Sequence, residues 1–150
     1  LGKLKQFAVH RMTSKKEKWA QSGSEFSTDV RGSPLVLVSS DSCKFEFDAH
    51  QGLAGHWNYA LENIRNELAR RIGSEGTVLD AWSHLGQWGV SCAKYGASEV
   101  VLLEESLALA KMCQDNVDRN DVGLQSSVLH RGNVQEELEN MATGGLKFNC

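Results

Sequence analysis

The chain predicts an α/β domain built on a parallel sheet, preceded by a β-hairpin and a helix, and three observations carry that prediction. Short apolar runs recur at 77–81, 99–103 and 126–130, with a further run beginning at Leu146. Stretches of helical periodicity at 87–95, 106–119 and 134–142 separate them. Strand and helix alternating in this way imply right-handed crossovers and a parallel sheet. In addition, the first two runs each end in an acid, Asp80 and Glu104.

Upstream of the alternation, Leu35–Val38 and Cys43–Phe47 read as a hairpin turned by Ser39, Ser40, Asp41 and Ser42. Cys43, Phe45 and Phe47 share its apolar face. A helix from about Trp57 to Arg71 places Leu61, Ile64, Leu68 and Ile72 on one stripe, which the spacing predicts to be buried. In the helix opened by Ser106, the N-capping residue, the predicted inner face holds Leu109, Met112, Cys113, Asn116 and Val117. Residues 1–33 divide into a basic segment, with a short helix near Lys15 to Ala20, and a Ser/Gly-rich linker from Gln21 to Ser33.

Function is concentrated between Thr77 and Ser106. Ligands of open parallel sheets collect at the carboxyl ends of the strands, so Asp80 and Glu104 are aimed at one crevice. The loop between them excludes two phosphate-bearing ligands. A dinucleotide fingerprint needs a third glycine for close approach to pyrophosphate, whereas Gly86 and Gly89 here enclose Gln87 and Trp88. A P-loop needs a Gly-Lys-Ser/Thr that is absent. A ribose with a cationic tail and no phosphate suits the pattern, which describes S-adenosylmethionine. Asp80 then faces the aminoacyl end and Glu104 accepts from the ribose hydroxyls. Trp82 and Trp88 either stack on a flat ligand or pack the helix onto the sheet.

The segment from Ala54-Gly55-His56-Trp57-Asn58-Tyr59 to Arg65, followed by Val78-Leu79-Asp80-Ala81-Trp82-Ser83-His84-Leu85-Gly86-Gln87-Trp88-Gly89, resembles the class I S-adenosylmethionine-dependent methyltransferases of large-subunit ribosomal RNA, including their 5-methylcytosine-forming members. The resemblance covers roughly residues 43 to 150. It implies a Rossmann-like class I methyltransferase sheet, here partial, over 57–150, preceded by the hairpin and loop at 34–56. The implied cofactor residues are Arg65, Asp80, Ser83, Gly86, Glu104 and Asn133, the last accepting from the adenine amino group where the family carries Asp. Departures fall at Ala60, Glu62, Gln87 and Asn133. The family's Asp-Pro-Pro motif and catalytic cysteine are expected beyond Cys150, so the chain reads as a cofactor-binding fragment. Its implied partner is ribosomal RNA, with cytosine C5 the favoured target. The alternative is a non-catalytic RNA-binding or ribosome-assembly protein on the same fold.

Composition agrees with a globular piece. The chain has 150 residues, 41% of them hydrophobic, and no apolar run long enough for a membrane span. A cytoplasmic location is the corresponding expectation. The first eighteen residues carry +5 of charge within a chain of net −3, a basic arm suited to phosphate contacts or simply to solvent. Cys43, Cys92, Cys113 and Cys150 have no metal-site spacing and read as free thiols, and no metal site is expected.

Overall fold

A computed structural model describes the chain at residues 9–14, 26–31, 35–48, 57 and 59–150. It divides into two units, one of 1–36 with 47–57, the other of 37–46 with 58–150. In the first unit, β1 (Val9–Ser14) pairs antiparallel with β2 (Phe26–Arg31), Val9 opposite Arg31 and Ser14 opposite Phe26. The sequence places a linker over Phe26–Arg31, where the structure has a strand. Its alternation of Phe26, Thr28 and Val30 with polar residues fits one. The helix expected near Lys15 to Ala20 lies outside the described residues.

The second unit holds the parallel sheet. β5 (Thr77–Ala81), β6 (Glu99–Glu104) and β7 (Ser126–His130) run in the order β5-β6-β7, all parallel. On the free side of β5, Asn149 N donates to Thr77 O at 2.8 Å and Leu79 N to Cys150 O at 2.9 Å, so residues 149–150 continue the sheet in parallel sense. β6 is central and buried along nearly its whole length, which explains its unbroken apolar run.

The two faces are covered by different helices. On one, Leu79, Ala81, Val101, Leu103 and Leu129 pack with Val134, Leu138 and Met141 of α4 (Val134–Thr143). On the other lie α2 (Gln87–Lys94) and α3 (Leu107–Arg119). Here Gly89 is pressed so close that a Cβ would sit 2.7 Å from Leu102 Cδ2. Helices on opposite faces, serving crossovers on either side of β5, place a topological switch point at the carboxyl end of β5.

α1 (Glu62–Ile72) corrects the sequence reading. Its buried residues are Arg65, Asn66 and Ala69, while Ile64 is 60% exposed and Leu61 is exposed as well. The reason is polar. The wholly buried Arg65 donates from Nη1 to Gln87 Oε1 at 3.1 Å and from Nη2 to Ser40 Oγ at 3.2 Å, and Ser40 donates to Glu62 Oε1 at 2.8 Å. One guanidinium thereby joins α1 to the hairpin strand β3 (Leu35–Ser40) and to the start of α2. Turning the apolar stripe inward would forfeit these bonds and leave the donors without water. Ala69 adds a small surface on the same face.

A second polar connection fixes β4 (Cys43–Asp48). Asn116 Oδ1 accepts from Glu46 N at 2.7 Å while its Nδ2 donates to Glu46 O and to Leu85 O; Asn120 does the same one turn later with Lys44 N and O. Two amides spaced i, i+4 thus stand in for a neighbouring strand. The rest of the α3 reading holds, with Cys113, Asn116 and Val117 buried and Ser106 Oγ accepting from Leu109 N. Asn116→Ala is expected to cost about 2–4 kcal/mol by stranding backbone groups of β4 and Leu85, whereas the exposed Gln114→Ala should stay within about 0.5 kcal/mol. Urea denaturation of the two variants checks this.

Candidate cofactor site at the strand ends

β5 delivers Asp80 to the switch point, and the carboxylate at once takes up a backbone partner. Its Oδ2 accepts from Gly89 N at 2.8 Å, in the first turn of α2, where free N–H groups and the helix dipole favour negative charge. Burial nevertheless dominates. It raises the Asp80 carboxyl to about 7, with the Gly89 bond pulling down and the charge of Glu104 pushing up. Near neutral pH this group holds its proton about half the time, and a nearby cation would release it.

Glu104, at the end of β6, is buried with both oxygens engaged: Oε2 accepts from His84 N at 2.8 Å and Oε1 from Ser106 N at 2.9 Å. Each oxygen keeps a second acceptor site. The two acids therefore hold the intervening loop at both ends, through Gly89 and through His84.

That loop alternates into the left-handed region at Trp82 (φ 54°), His84 (φ 57°) and Gly86 (φ 74°). Only the third position carries the residue that adopts it at low cost. Gly86 is required a second time by space, because a Cβ there would lie 2.7 Å from Cys113 Sγ and 3.1 Å from Leu102 Cδ2. Trp82 and His84 adopt the conformation without that freedom, at a cost of order 1 kcal/mol each. Nothing in the sequence marks them, since neither residue type signals a left-handed turn.

The other expected residues take different places. Ser83 is buried beneath the loop, its N–H donating to Leu103 O at 2.8 Å and its hydroxyl 3.8 Å from Cys113 Sγ. Arg65 is enclosed between Ser40 and Gln87, as described above. Asn133 caps α4, accepting at Oδ1 from Glu136 N at 3.1 Å. Asp80, Gly86 and Glu104 are thus bound into one loop; Asn133 lies past the carboxyl end of β7, next but one to Asp80's strand.

Sequence reasoning did not single out Glu105. On the opposite face of β6 from Glu104, its Oε1 accepts from Trp82 Nε1 at 3.3 Å and from Val134 N at 3.0 Å, tying the crest of the loop to the start of α4. Period-two alternation after Glu104 was the available signal.

The buried thiols are poor nucleophiles. Burial raises Cys43 and lifts Cys92 and Cys113 to about 12, away from the thiolate form that reacts. Among the described residues, no group of three His, Cys, Asp or Glu is placed to hold a metal, and no helix is long and apolar enough to cross a membrane. An open groove lined by Leu68, Ile72, Gly76 and Asn149 lies at the amino end of β5, away from the acids.

No protein-family model matches the chain. It is 28% identical over 116 residues to ribosomal RNA large subunit methyltransferase I of Serratia proteamaculans (strain 568), a match covering 77% of this chain and 29% of the relative. The chain thus spans under a third of that protein's length. Among solved structures, it superposes on the M. jannaschii TYW2 complex with AdoMet at a TM-score of 0.62 and 15% identity, covering 71% of this chain and 48% of that one. The tRNA methyltransferase of the same organism gives a TM-score of 0.63 at 13% identity, covering 75% and 35%. At these identities the likeness is one of fold, an α/β domain with a Rossmann-like parallel sheet that the chain shares with these structures.

Two outcomes follow from the site's geometry. Gly86→Ala is expected to destabilise by about 2–3 kcal/mol, from strain and overlap with Cys113, while Gly132→Ala, with open space around it, should be close to neutral. Asp80 gives a pH signature. Its folded value near 7 lies above the ordinary 3.8, so the folded chain binds the extra proton and stability falls as pH rises from about 4 through about 7. Asp80→Asn retains an acceptor for Gly89 N and sheds the charge, so its melting temperature at pH 8 should exceed that of the wild type by about 4 °C or more, with the gap closing near pH 5. Thermal melts across that range test the sign.

Proposed function

We propose that this chain is the cofactor-binding part of an S-adenosylmethionine-dependent methyltransferase that acts on RNA. The observation that carries the reading is the pair of acids at adjacent strand ends, Asp80 and Glu104, braced by one loop through Gly89 N and His84 N. Similarity to a ribosomal RNA large subunit methyltransferase supports it from sequence, and the TYW2 complex with AdoMet from fold.

The donor set suits the ligand. S-adenosylmethionine carries an ammonium and a carboxylate at its amino-acid end, a sulfonium that joins this tail to the ribose, and a vicinal diol on the ribose, which bears the adenine. Asp80, poised near its titration point, is the group to meet the ammonium: pairing with a cation in a desolvated site recovers energy that its burial costs. Glu104 keeps a free acceptor site on each oxygen for the ribose diol. Asn133, whose Oδ1 caps α4 and keeps a second acceptor site, stands beyond β7 for the adenine amino group. Arg65 and Ser83 act on this reading by positioning, Arg65 through Gln87 at the start of α2 and Ser83 from beneath the loop.

When bound, the cofactor supplies an electrophilic methyl group. The chain's own residues bind and orient it, and hold its charged end against Asp80 out of water. The finer target in this reading is a base of large-subunit ribosomal RNA, with cytosine C5 favoured. The buried cysteines described here do not supply the thiolate that such chemistry uses.

The alternative, a non-catalytic RNA-binding or ribosome-assembly protein on the same fold, takes its motive from Ala60, Glu62, Gln87 and Asn133 as departures from the family pattern. Three of the four have work within the fold: Glu62 accepts from Ser40, Gln87 from Arg65, and Asn133 from Glu136 N. They are therefore weak grounds for a degraded site.

Calorimetric titration with S-adenosylhomocysteine tests the reading. Asp80→Asn and Glu104→Gln should each weaken binding by more than about tenfold. Because the ligand's ammonium selects ionised Asp80, wild-type affinity should rise by up to about tenfold from pH 6 to pH 8, and binding at pH 6 should release a proton, visible as an enthalpy that depends on the buffer. A folded wild type that binds nothing at millimolar ligand would remove the cofactor from this reading. For the target, incubation of the full-length protein with labelled cofactor and unmodified ribosomal RNA, followed by nucleoside analysis, separates 5-methylcytidine from other products.

A further inference from the structure

α1 carries an apolar stripe that the fold of a single copy does not use. Arg65, Asn66 and Ala69 occupy the inward face of the helix, so the stripe is left at the surface. Leu61, just before α1, is 36% exposed and Ile64 60%, while Leu68 and Ile72 are half-buried. Leu68 and Ile72 also line the open groove beside Gly76 and Asn149, so the apolar surface continues past the end of the helix. A single exposed isoleucine is ordinary. Four apolar residues in line at i, i+3, i+7 and i+11 form the kind of seam along which two helices pack.

Charge decides what covers it. Acids stand in the first half of α1, Glu62 and Glu67, and bases in the second, Arg70 and Arg71. Two of the four are engaged elsewhere: Glu62 accepts from Ser40 Oγ, and Arg70 is drawn to Asp41 and Tyr95. Glu67 and Arg71 remain beside the stripe, one turn apart and joined at 2.8 Å, with side chains 53% and 77% exposed. An acid followed by a base is complementary to its own copy only when the two helices run antiparallel; a parallel pair would set like charges together. With a twofold axis at Leu68, Ile64 meets Ile72 of the second copy, Leu68 meets Leu68, and each Glu67 comes beside the other copy's Arg71. An apolar seam offers nothing to the phosphates of a nucleic acid.

We propose that the exposed stripe of α1 is a self-association surface, on which two copies of this chain pair antiparallel about Leu68. The surface is small. A helix of this length presents a seam of about 16 Å, less than a standard interface of about 1,600 Å² occupies, which sets the association in the micromolar range or weaker. The pairing is independent of the cofactor reading, although the same helix holds Gln87 through Arg65 on its inward face.

Sedimentation equilibrium of the chain, up to about 1 mM, tests this and should show a reversible monomer–dimer equilibrium. Ile64→Glu should weaken the dimer by more than about tenfold. Because Ile64 is exposed in the single copy, that variant should melt within about 3 °C of the wild type when dilute, which separates loss of pairing from loss of folding. Glu67→Arg and Arg71→Glu should each weaken self-association by about fivefold or more, since each leaves one sign of charge beside the stripe. Mixed in equal amounts, these two variants should associate at least as tightly as the wild type, two bases of one meeting two acids of the other. Loss of the bridge within the helix cannot produce that recovery. A chain that stays monomeric throughout, a dimer that survives Ile64→Glu, or a mixture that fails to recover would overturn the proposal.

Discussion

The second unit is organised around two carboxylates that the sheet sends into one desolvated place. Asp80 and Glu104 leave adjacent parallel strands in register, Asp80 opposite Leu102 with Glu104 two residues further on, so the charge of Glu104 adds to the cost of ionising Asp80. The fold reduces that cost with backbone N–H groups, from Gly89, His84 and Ser106, because those donors belong to segments that must turn there in any case. Asp80 still rests near 7. An acid left half-protonated inside a protein is a standing preference for a cationic ligand, and here it lies at the point where parallel sheets collect their ligands.

Holding the loop against that cost requires support from outside the sheet, and polar rather than apolar contacts provide it. Arg65 reaches the first residue of α2, and Asn116 reaches Leu85, so both flanks of Gly86 are fixed from elements that also hold the hairpin. Hydrophobic packing is non-directional and would permit the loop to slide. Directed hydrogen bonds from buried amides and a guanidinium set it to one register, at the expense of every donor needing its acceptor. The Asn116 and Asn120 pair also cover the hairpin edge that an unpaired strand would otherwise expose.

The sheet was legible in the sequence because its elements are locally determined. β5 and β7 fall on the predicted residues, β6 extends the predicted run by one, and α2, α3 and α4 agree within a residue. Asp80 and Glu104 were legible for the same reason: a parallel strand ends where its apolar run ends. The buried face of α1 was not, since Leu61, Ile64, Leu68 and Ile72 satisfy helical periodicity as well as any core stripe does. What decides the face is Arg65, whose acceptors lie 25 residues before it in the chain and 22 after it. Long-range polar pairing leaves no periodic trace. Nor does a left-handed backbone at tryptophan or histidine, so the conformations of Trp82 and His84 could be seen only in three dimensions.

The loop's three left-handed residues also show how far a glycine pattern can be read backwards. Two of the three positions forgo glycine, and the chain bears strain of order 1 kcal/mol at each in consequence. For Gly86 the choice follows from packing, since Cys113 and Leu102 leave no room for a Cβ. At Trp82 and His84 space does not impose the residue, and the fold alone would be better served by glycine. What these side chains add must therefore lie in what they contact. His84 contributes the backbone N–H that Glu104 accepts, and Trp82 contributes an indole whose Nε1 donates to Glu105. The absence of a glycine-rich signature consequently does not argue against a nucleoside site. The backbone path such a signature encodes is present, and one of its glycine positions has been given to an aromatic ring.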